Sequence, residues 1–93
     1  MEFEWDEGKR KLNAEKHGLD FEDAALVFEG PLYVLEDKRC DYGEPRYIAV
    51  GELVGRVVVV AYTKRRSEIV RIISMRKANQ REQARYKKRL EQT

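Results

Sequence analysis

Five consecutive apolar residues, Val57-Val58-Val59-Val60-Ala61, constrain this chain more than any other feature. A strand with one face in water alternates apolar and polar side chains, and this run does not. It therefore reads as the middle of a central strand, Arg56 to Lys64, covered on both faces. Three antiparallel neighbours are predicted around it. Leu32 to Asp37 alternates loosely. Arg46 to Leu53 is the second. In Glu68 to Met75, Val70 and Ile72 face one side while Ile69, Arg71 and Ile73 face the other. Lys38 to Glu44 is a polar turn containing Gly43, Val54-Gly55 is a tight turn, and Arg65-Arg66-Ser67 is the last turn.

The helices announce themselves by their ends. Asp6 is a suitable N-cap for a helix running to about His17, and Gly18 suits the left-handed residue that ends it. Trp5, Leu12 and Leu19 recur at a spacing of seven, so this helix packs along a narrow stripe. Lys9, Asn13, Lys16 and His17 share one face. Asp20 caps a second helix, Phe21 to Glu29, with Phe21, Ala24, Ala25 and Phe28 as its apolar stripe, and Gly30-Pro31 stops it. A last helix from about Lys77 to Glu91 has few apolar residues (Ala78, Ala84, Tyr86 and Leu90), so it lies on the domain edge or awaits a partner. Phe3 and Trp5 either form a short strand or anchor the N-terminus in the core.

At 93 residues the chain makes one domain, residues 1–93, with room for one core. The expected fold is α+β: two N-terminal helices packed on a four-stranded antiparallel sheet, followed by a C-terminal helix. The helices are expected on one face, leaving the other partly open with Arg71 on it. No apolar run approaches the roughly 20 residues that span a bilayer. Met1 to Asp6 lacks the basic and apolar regions of a secretory signal. Cys40 is alone, which excludes an internal disulfide and a cysteine metal site. These features point to a soluble protein of the reducing cytoplasm.

The net charge of +2 conceals a division: residues 1–63 carry 8 Lys/Arg against 14 Asp/Glu, and residues 64–93 carry 11 against 3. Such a split fits a polyanion or an acidic protein as partner, although a basic amphipathic helix that is merely solvated gives the same count. One His and one Cys cannot make a zinc site, and no Gly-rich phosphate loop exists. No cofactor is implied. What remains is Arg, Lys, Glu, Tyr and one His, a set suited to phosphodiester chemistry without a metal. Arg and Lys can neutralise a phosphorane-like transition state, Glu or His can take a proton from a ribose 2′-hydroxyl, and Tyr can stack on a base.

Each candidate has a bland reading beside the functional one. His17 titrates near neutrality but also caps a helix C-terminus well. Glu44 and Arg46 flank Pro45, as a surface ion pair or as residues of a cleft. Lys64, Arg65 and Arg66 are a solvated turn or a phosphate-positioning one. Arg71 interrupts an apolar strand, so it snorkels or faces an anion-binding groove. Arg76 and Lys77 stand where strand meets helix, beside free helical N–H groups that favour anions. Glu82 and Tyr86 are one helical turn apart, as a simple pair or as part of the site.

The chain resembles the BrnT family, the toxins of BrnT/BrnA toxin–antitoxin modules, along nearly its whole length. The resemblance rests on Trp5-Asp6, Lys9, Asn13, Lys16-His17-Gly18 and Phe21, then Arg39, Gly43-Glu44, Arg46 and Gly51. It closes on Tyr62-Thr63, Arg66, Arg71-Ile72-Ile73-Ser74-Met75-Arg76-Lys77-Ala78, Glu82 and Tyr86. It implies a RelE-like fold and a ribonuclease that cuts RNA without metal. It implies also a BrnA-like antitoxin with a ribbon-helix-helix DNA-binding domain, so that promoter DNA is met only through the complex. On residue chemistry, the catalytic candidates are His17, Glu44, Arg46, Arg76, Glu82 and Tyr86. Arg76 and Arg46 would meet transition-state charge, Tyr86 would orient or stack, and Glu44, Glu82 or His17 would move protons. The RNA-binding candidates are Lys64, Arg65, Arg66, Arg71, Lys77, Arg81 and Arg85. Two other readings use the same basic segment: a non-catalytic nucleic-acid-binding module, and a protein-interaction domain working through its last helix.

Overall fold

The structure is a computed structural model that describes residues 1–66 and 68–92. Its elements are β1 (Glu2–Trp5), α1 (Glu7–His17), a 3₁₀ turn (Phe21–Asp23) leading into α2 (Ala24–Glu29), β2 (Leu32–Glu36), β3 (Tyr47–Leu53), β4 (Arg56–Arg65), β5 (Ile69–Lys77) and α3 (Gln80–Glu91). The five strands form one sheet in the order β1-β5-β4-β3-β2. β2 to β5 are an antiparallel meander. β1 pairs with β5 in parallel, Glu2 opposite Ile69 and Trp5 opposite Ile72.

Two expectations are corrected. The sheet has five strands and is mixed, where four antiparallel strands were expected. Glu2-Phe3-Glu4-Trp5 does alternate as a half-buried strand must. Its partner lies far along the sequence, so no local pattern announces the pairing. The helices also divide between the faces instead of gathering on one. Leu19, Phe21, Ala24 and Val27, from α2 and the segment before it, pack with Ala49, Val58, Val60, Tyr62, Val70, Ile72 and Met75. On the opposite face Tyr86 and Ala78 pack with Val50 and Val59, flanked by Tyr33, Ile48, Val57 and Leu90. This is what the unbroken valine run requires: Val58 and Val60 serve one core, Val59 the other.

The ends follow their predicted chemistry. The Asp6 side chain accepts from Lys9 N–H at 3.0 Å, and Gly18 ends α1 at φ 68°. Asp20 accepts from Glu22 N–H at 2.9 Å. Val54 and Gly55 both have positive φ, as a two-residue hairpin turn demands. The last helix begins later than expected, because Lys77 still pairs with Val58 in β5 and Asn79 is the N-cap. Asn79 and Glu82 form a reciprocal capping box. The expected turn Arg65-Arg66-Ser67 includes Ser67, which lies outside the described residues. Among the described residues no helix is long and apolar enough to cross a membrane.

The β4–β5 ladder carries one irregularity. Ala61 pairs with Ser74 and Tyr62 with Ile72, which leaves Ile73 as an extra residue in β5.

Candidate functional site

Arg71 and Arg76 are five residues apart, so a regular strand would send them to opposite faces. The bulge at Ile73 cancels that. Val70 and Ile72 before it, and Met75 after it, all enter the core beneath α2. Arg71, Ser74 and Arg76 therefore all face the α3 side.

The register then lays out that face in rows. One row holds Asp37, Arg46, Thr63, Arg71 and Glu4. Asp37 N–H donates to Arg46 O at 2.7 Å, Thr63 pairs with Arg71, and Arg71 pairs with Glu4. Thr63 Oγ1, buried, donates to Pro45 O at 2.6 Å and ties β4 to the start of β3. The next row is Leu35, Ile48, Ala61 and Ser74, and the one beyond is Tyr33, Val50, Val59 and Arg76. α3 covers the last of these rows through Tyr86. An open strip remains, with Ile48, Ala61 and Ser74 as its floor. Arg46 and Arg71 stand on one side, Arg76 and the start of α3 on the other. Val59 and Thr63 set its span at roughly 13 Å, at about 3.3 Å per residue.

Arg76 is gripped by Glu82 in a two-pronged ion pair, Nη1 to Oε1 and Nη2 to Oε2 at 2.7 Å each. Hydrogen bonding from Arg76 is the main reason the Glu82 carboxyl falls to about 2; burial opposes it, and the Asn79 N–H and the Arg85 charge assist. Arg76 is in turn held more firmly protonated by Glu82, against burial and the repulsion of Arg39. Arg46 lies with its guanidinium 4.1 Å from the centre of the Tyr42 ring. Its Nε is buried, makes no hydrogen bond, and stands 3.8 Å from Glu44 Oε2. Arg71 donates to Glu4 Oε2 at 2.7 Å. Glu44, Arg46, Arg71 and Arg76 therefore meet around one surface, with Arg81 and Arg85 exposed on the adjoining helix.

Other expected site residues lie elsewhere. Tyr86 is a core residue, 2% exposed, whose hydroxyl donates to Pro31 O at 2.8 Å and whose ring stacks on Tyr33. A side chain so enclosed is not placed to orient or stack on a substrate. His17 lines a hollow of about 220 Å³ with Lys9, Lys16, Ile73 and Ser74, at the α1 edge of β5, which borders the strip at Ser74. Lys64 faces the other side of the sheet, its Nζ 5.4 Å from the Tyr47 ring centre. Lys77 pairs with Val58 and so points away from Arg76. Arg65 and Arg66 are exposed at the β4–β5 turn, where Arg66 has φ 61°. Three neighbours of the site are not among its expected residues: Asp37, Tyr42 and Thr63, the last noted only within the Tyr62-Thr63 pair of the family resemblance. Only the cross-strand register, with Asp37 beside Arg46 and Thr63 beside Arg71, brings two of them forward. Among the described residues, no group of three or more His, Cys, Asp and Glu could hold a metal ion.

A protein-family model described as the ribonuclease toxin BrnT of type II toxin–antitoxin systems matches residues 5–82. The crystal structure of the Brucella abortus ribonuclease toxin BrnT is similar, with a TM-score of 0.65 and 35% identity, over 86% of this chain and 99% of that one. Nothing among curated proteins matches.

Proposed function

This chain belongs to the BrnT family of ribonuclease toxins of type II toxin–antitoxin systems, and from that premise we propose that it is a metal-independent endoribonuclease of the bacterial cytoplasm. Its substrate is RNA laid along the open strip. Its inhibitor is a cognate BrnA-like antitoxin, whose ribbon-helix-helix domain carries the complex to promoter DNA. The observation that carries the reading is the bulge at Ile73, which gathers Arg71 and Arg76 onto the face that holds Arg46. The charge that a metal would otherwise supply to a phosphodiester is available there from guanidinium groups.

In the proposed reaction Glu44 accepts the 2′-hydroxyl proton, and the 2′-oxygen attacks the adjacent phosphorus. The 5′-oxygen leaves with a proton from solvent. Arg46 and Arg76 stabilise the charge that builds on the phosphoryl oxygens. Glu44 is preferred as base to Glu82, whose carboxyl at about 2 is a poor match for work near neutrality. His17 lies in a different hollow and Tyr86 is enclosed, so neither is given a step. Arg71, Arg81 and Arg85 are proposed to follow the RNA backbone. Glu82 holds Arg76 in place and yields one of its bonds to the phosphate.

The test uses cellular RNA in excess EDTA with the wild type, Arg76→Ala and Glu44→Gln. Losing one group that meets transition-state charge costs about 10²–10³ in rate. Wild-type cutting with both variants slowed at least that much, each folded by circular dichroism, supports the assignment. Cutting that requires an added metal ion overturns metal independence, and full activity in Arg76→Ala overturns the site.

A further inference from the structure

We infer that Asp37 is a positioning residue that presents Arg39 to the RNA as a phosphate-binding side chain, an inference that rests on reading the open strip as the RNA site. Asp37 is the first residue beyond β2. Its N–H bonds Arg46 O at 2.7 Å, so it continues the ladder, and alternation turns its side chain to the α3 face beside Arg46. That side chain is only 7% exposed, yet it is a carboxylate.

A carboxylate so enclosed must be satisfied by donors. Asp37 has four. Arg39 supplies its backbone N–H at 3.1 Å and its Nε at 2.9 Å to Oδ1, and its Nη2 at 2.9 Å to Oδ2. The Tyr42 hydroxyl donates to Oδ2 at 3.0 Å. Hydrogen bonds from the Arg39 side chain and backbone hold the Asp37 carboxyl far below the usual carboxylate range, so it stays ionised at any working pH.

The two sides of this pair differ in exposure. Asp37 is enclosed, while the Arg39 side chain is 78% exposed. Because Asp37 engages Nε and Nη2 only, Arg39 keeps the Nη1 donors for a second anion. An exposed ion pair is ordinarily worth little and holds no fixed geometry. Here the carboxylate is anchored by the ladder and by Tyr42, so the guanidinium that it grips is aimed as well. Tyr42 extends the arrangement, since the ring pinned through its hydroxyl supports the Arg46 guanidinium at 4.1 Å. The Arg39 charge opposes, as the smallest influence, the hold that Glu82 gives Arg76 on its proton.

The probe is a single-stranded oligoribonucleotide carrying 2′-O-methyl groups, which binds but cannot be cut through a 2′-hydroxyl. Its affinity is measured against salt for the wild type, Arg39→Ala, Asp37→Asn and the double variant. Arg39→Ala is expected to weaken binding several-fold and to flatten the salt slope by about 0.7, the share of one single-strand phosphate contact. Asp37→Asn is expected to do the same, and the double variant is expected to be no weaker than Arg39→Ala alone. The sign is decisive. Removing a negative charge beside a polyanion site should tighten binding if charge alone matters; loss of positioning loosens it. Binding by Asp37→Asn as tight as the wild type or tighter overturns the inference. So does an unchanged salt slope in Arg39→Ala, an exposed replacement that does not depend on Asp37→Asn folding. A wild type that binds none of the probe overturns the reading of the strip as an RNA site, and this inference with it.

Discussion

Replacing Asn13 by Ala tests how the sheet ends at β5. β1 pairs with β5 only from Ile69 to Ile72, so the outer edge beyond Ile72 has no strand beside it. Asn13 takes that place with a side chain. Its Oδ1 accepts from Met75 N–H at 3.1 Å, and its Nδ2 donates to Met75 O at 2.9 Å and to Leu19 O at 3.2 Å. The amide thus copies a neighbouring peptide group. It is 8% exposed. In Asn13→Ala three backbone groups lose partners, and each unsatisfied buried group costs about 1–3 kcal/mol. Water entering from the nearby hollow recovers part of this, so the net loss is about 2–4 kcal/mol, a large share of the roughly 5–15 kcal/mol that such domains possess. Urea unfolding followed by Trp5 fluorescence measures it. At a slope of about 1–1.5 kcal/mol per molar urea the midpoint falls by about 2 M. Hydrogen exchange at the Met75 amide should accelerate with it. A stability within about 0.5 kcal/mol of the wild type, or a Met75 amide still protected, would show that Asn13 does not close this edge.

Three more outcomes are expected from named contacts. Glu82 titrates from a folded value of about 2 against 4.5 when free, so its contribution is full above the unfolded pKa and is lost as pH falls from about 5 toward 2. With Arg76 half exposed, that contribution is about 1–2 kcal/mol; the stability gap between wild type and Glu82→Gln in urea should shrink as pH falls below about 5 and close only near pH 2. Gly51→Ala would place a methyl 2.9 Å from Val27 Cγ1 and 3.3 Å from Leu32 Cβ; pushing α2 off β3 costs about 1–3 kcal/mol, and calorimetry should show a Tm lower by several degrees. Tyr86→Phe removes the bond to Pro31 O and should cost about 0.5–1.5 kcal/mol in urea while leaving the RNA cleavage rate unchanged; a large loss of rate would return Tyr86 to the site.

The parts of the fold governed by local chemistry are readable in the chain. Asp6, Gly18, Asp20 and Gly30 bracket the two N-terminal helices as their chemistry demands, and the valine run names the central strand. What is not readable depends on distant pairing. The partner of Phe3 and Trp5 is β5, which no window around them contains. The final helix looks too polar to pack, yet Tyr86 and Leu90, with Ala78 just before its cap, are enough to seat it on Val50 and Val59. The same limit applies to the site. Arg71 and Arg76 draw attention separately, as an interrupted strand and a strand–helix junction. Their common face depends on one extra residue, and Ile73 looks like any other strand residue in the sequence. Tyr86 misleads for the converse reason: a tyrosine one turn from a charged residue looks functional until its hydroxyl is found on Pro31 O.

The position of the site follows from how little material the fold has. A strand apolar on both faces needs cover on both, and a domain this short has one helix, α3, left for the second face. That helix covers Val50 and Val59 and ends its cover there. The rest of that face must meet water, so it cannot be apolar throughout; Thr63, Ser74, Arg71 and Arg46 occupy it where the first core has Tyr62, Met75 and Ile72. Once guanidinium groups stand at the edge of a helix layer, they are flanked by low-dielectric packing on one side and open on the other, which strengthens their pull on an anion relative to a fully exposed patch. Carboxylates then become necessary to keep such cations apart and aimed in the free protein. Glu82 does this for Arg76, Glu4 for Arg71 and Asp37 for Arg39. Of these pairs Glu4–Arg71 joins the acidic first two-thirds of the chain to its basic last third, and all three hold guanidinium groups that the proposed RNA phosphate would share or replace.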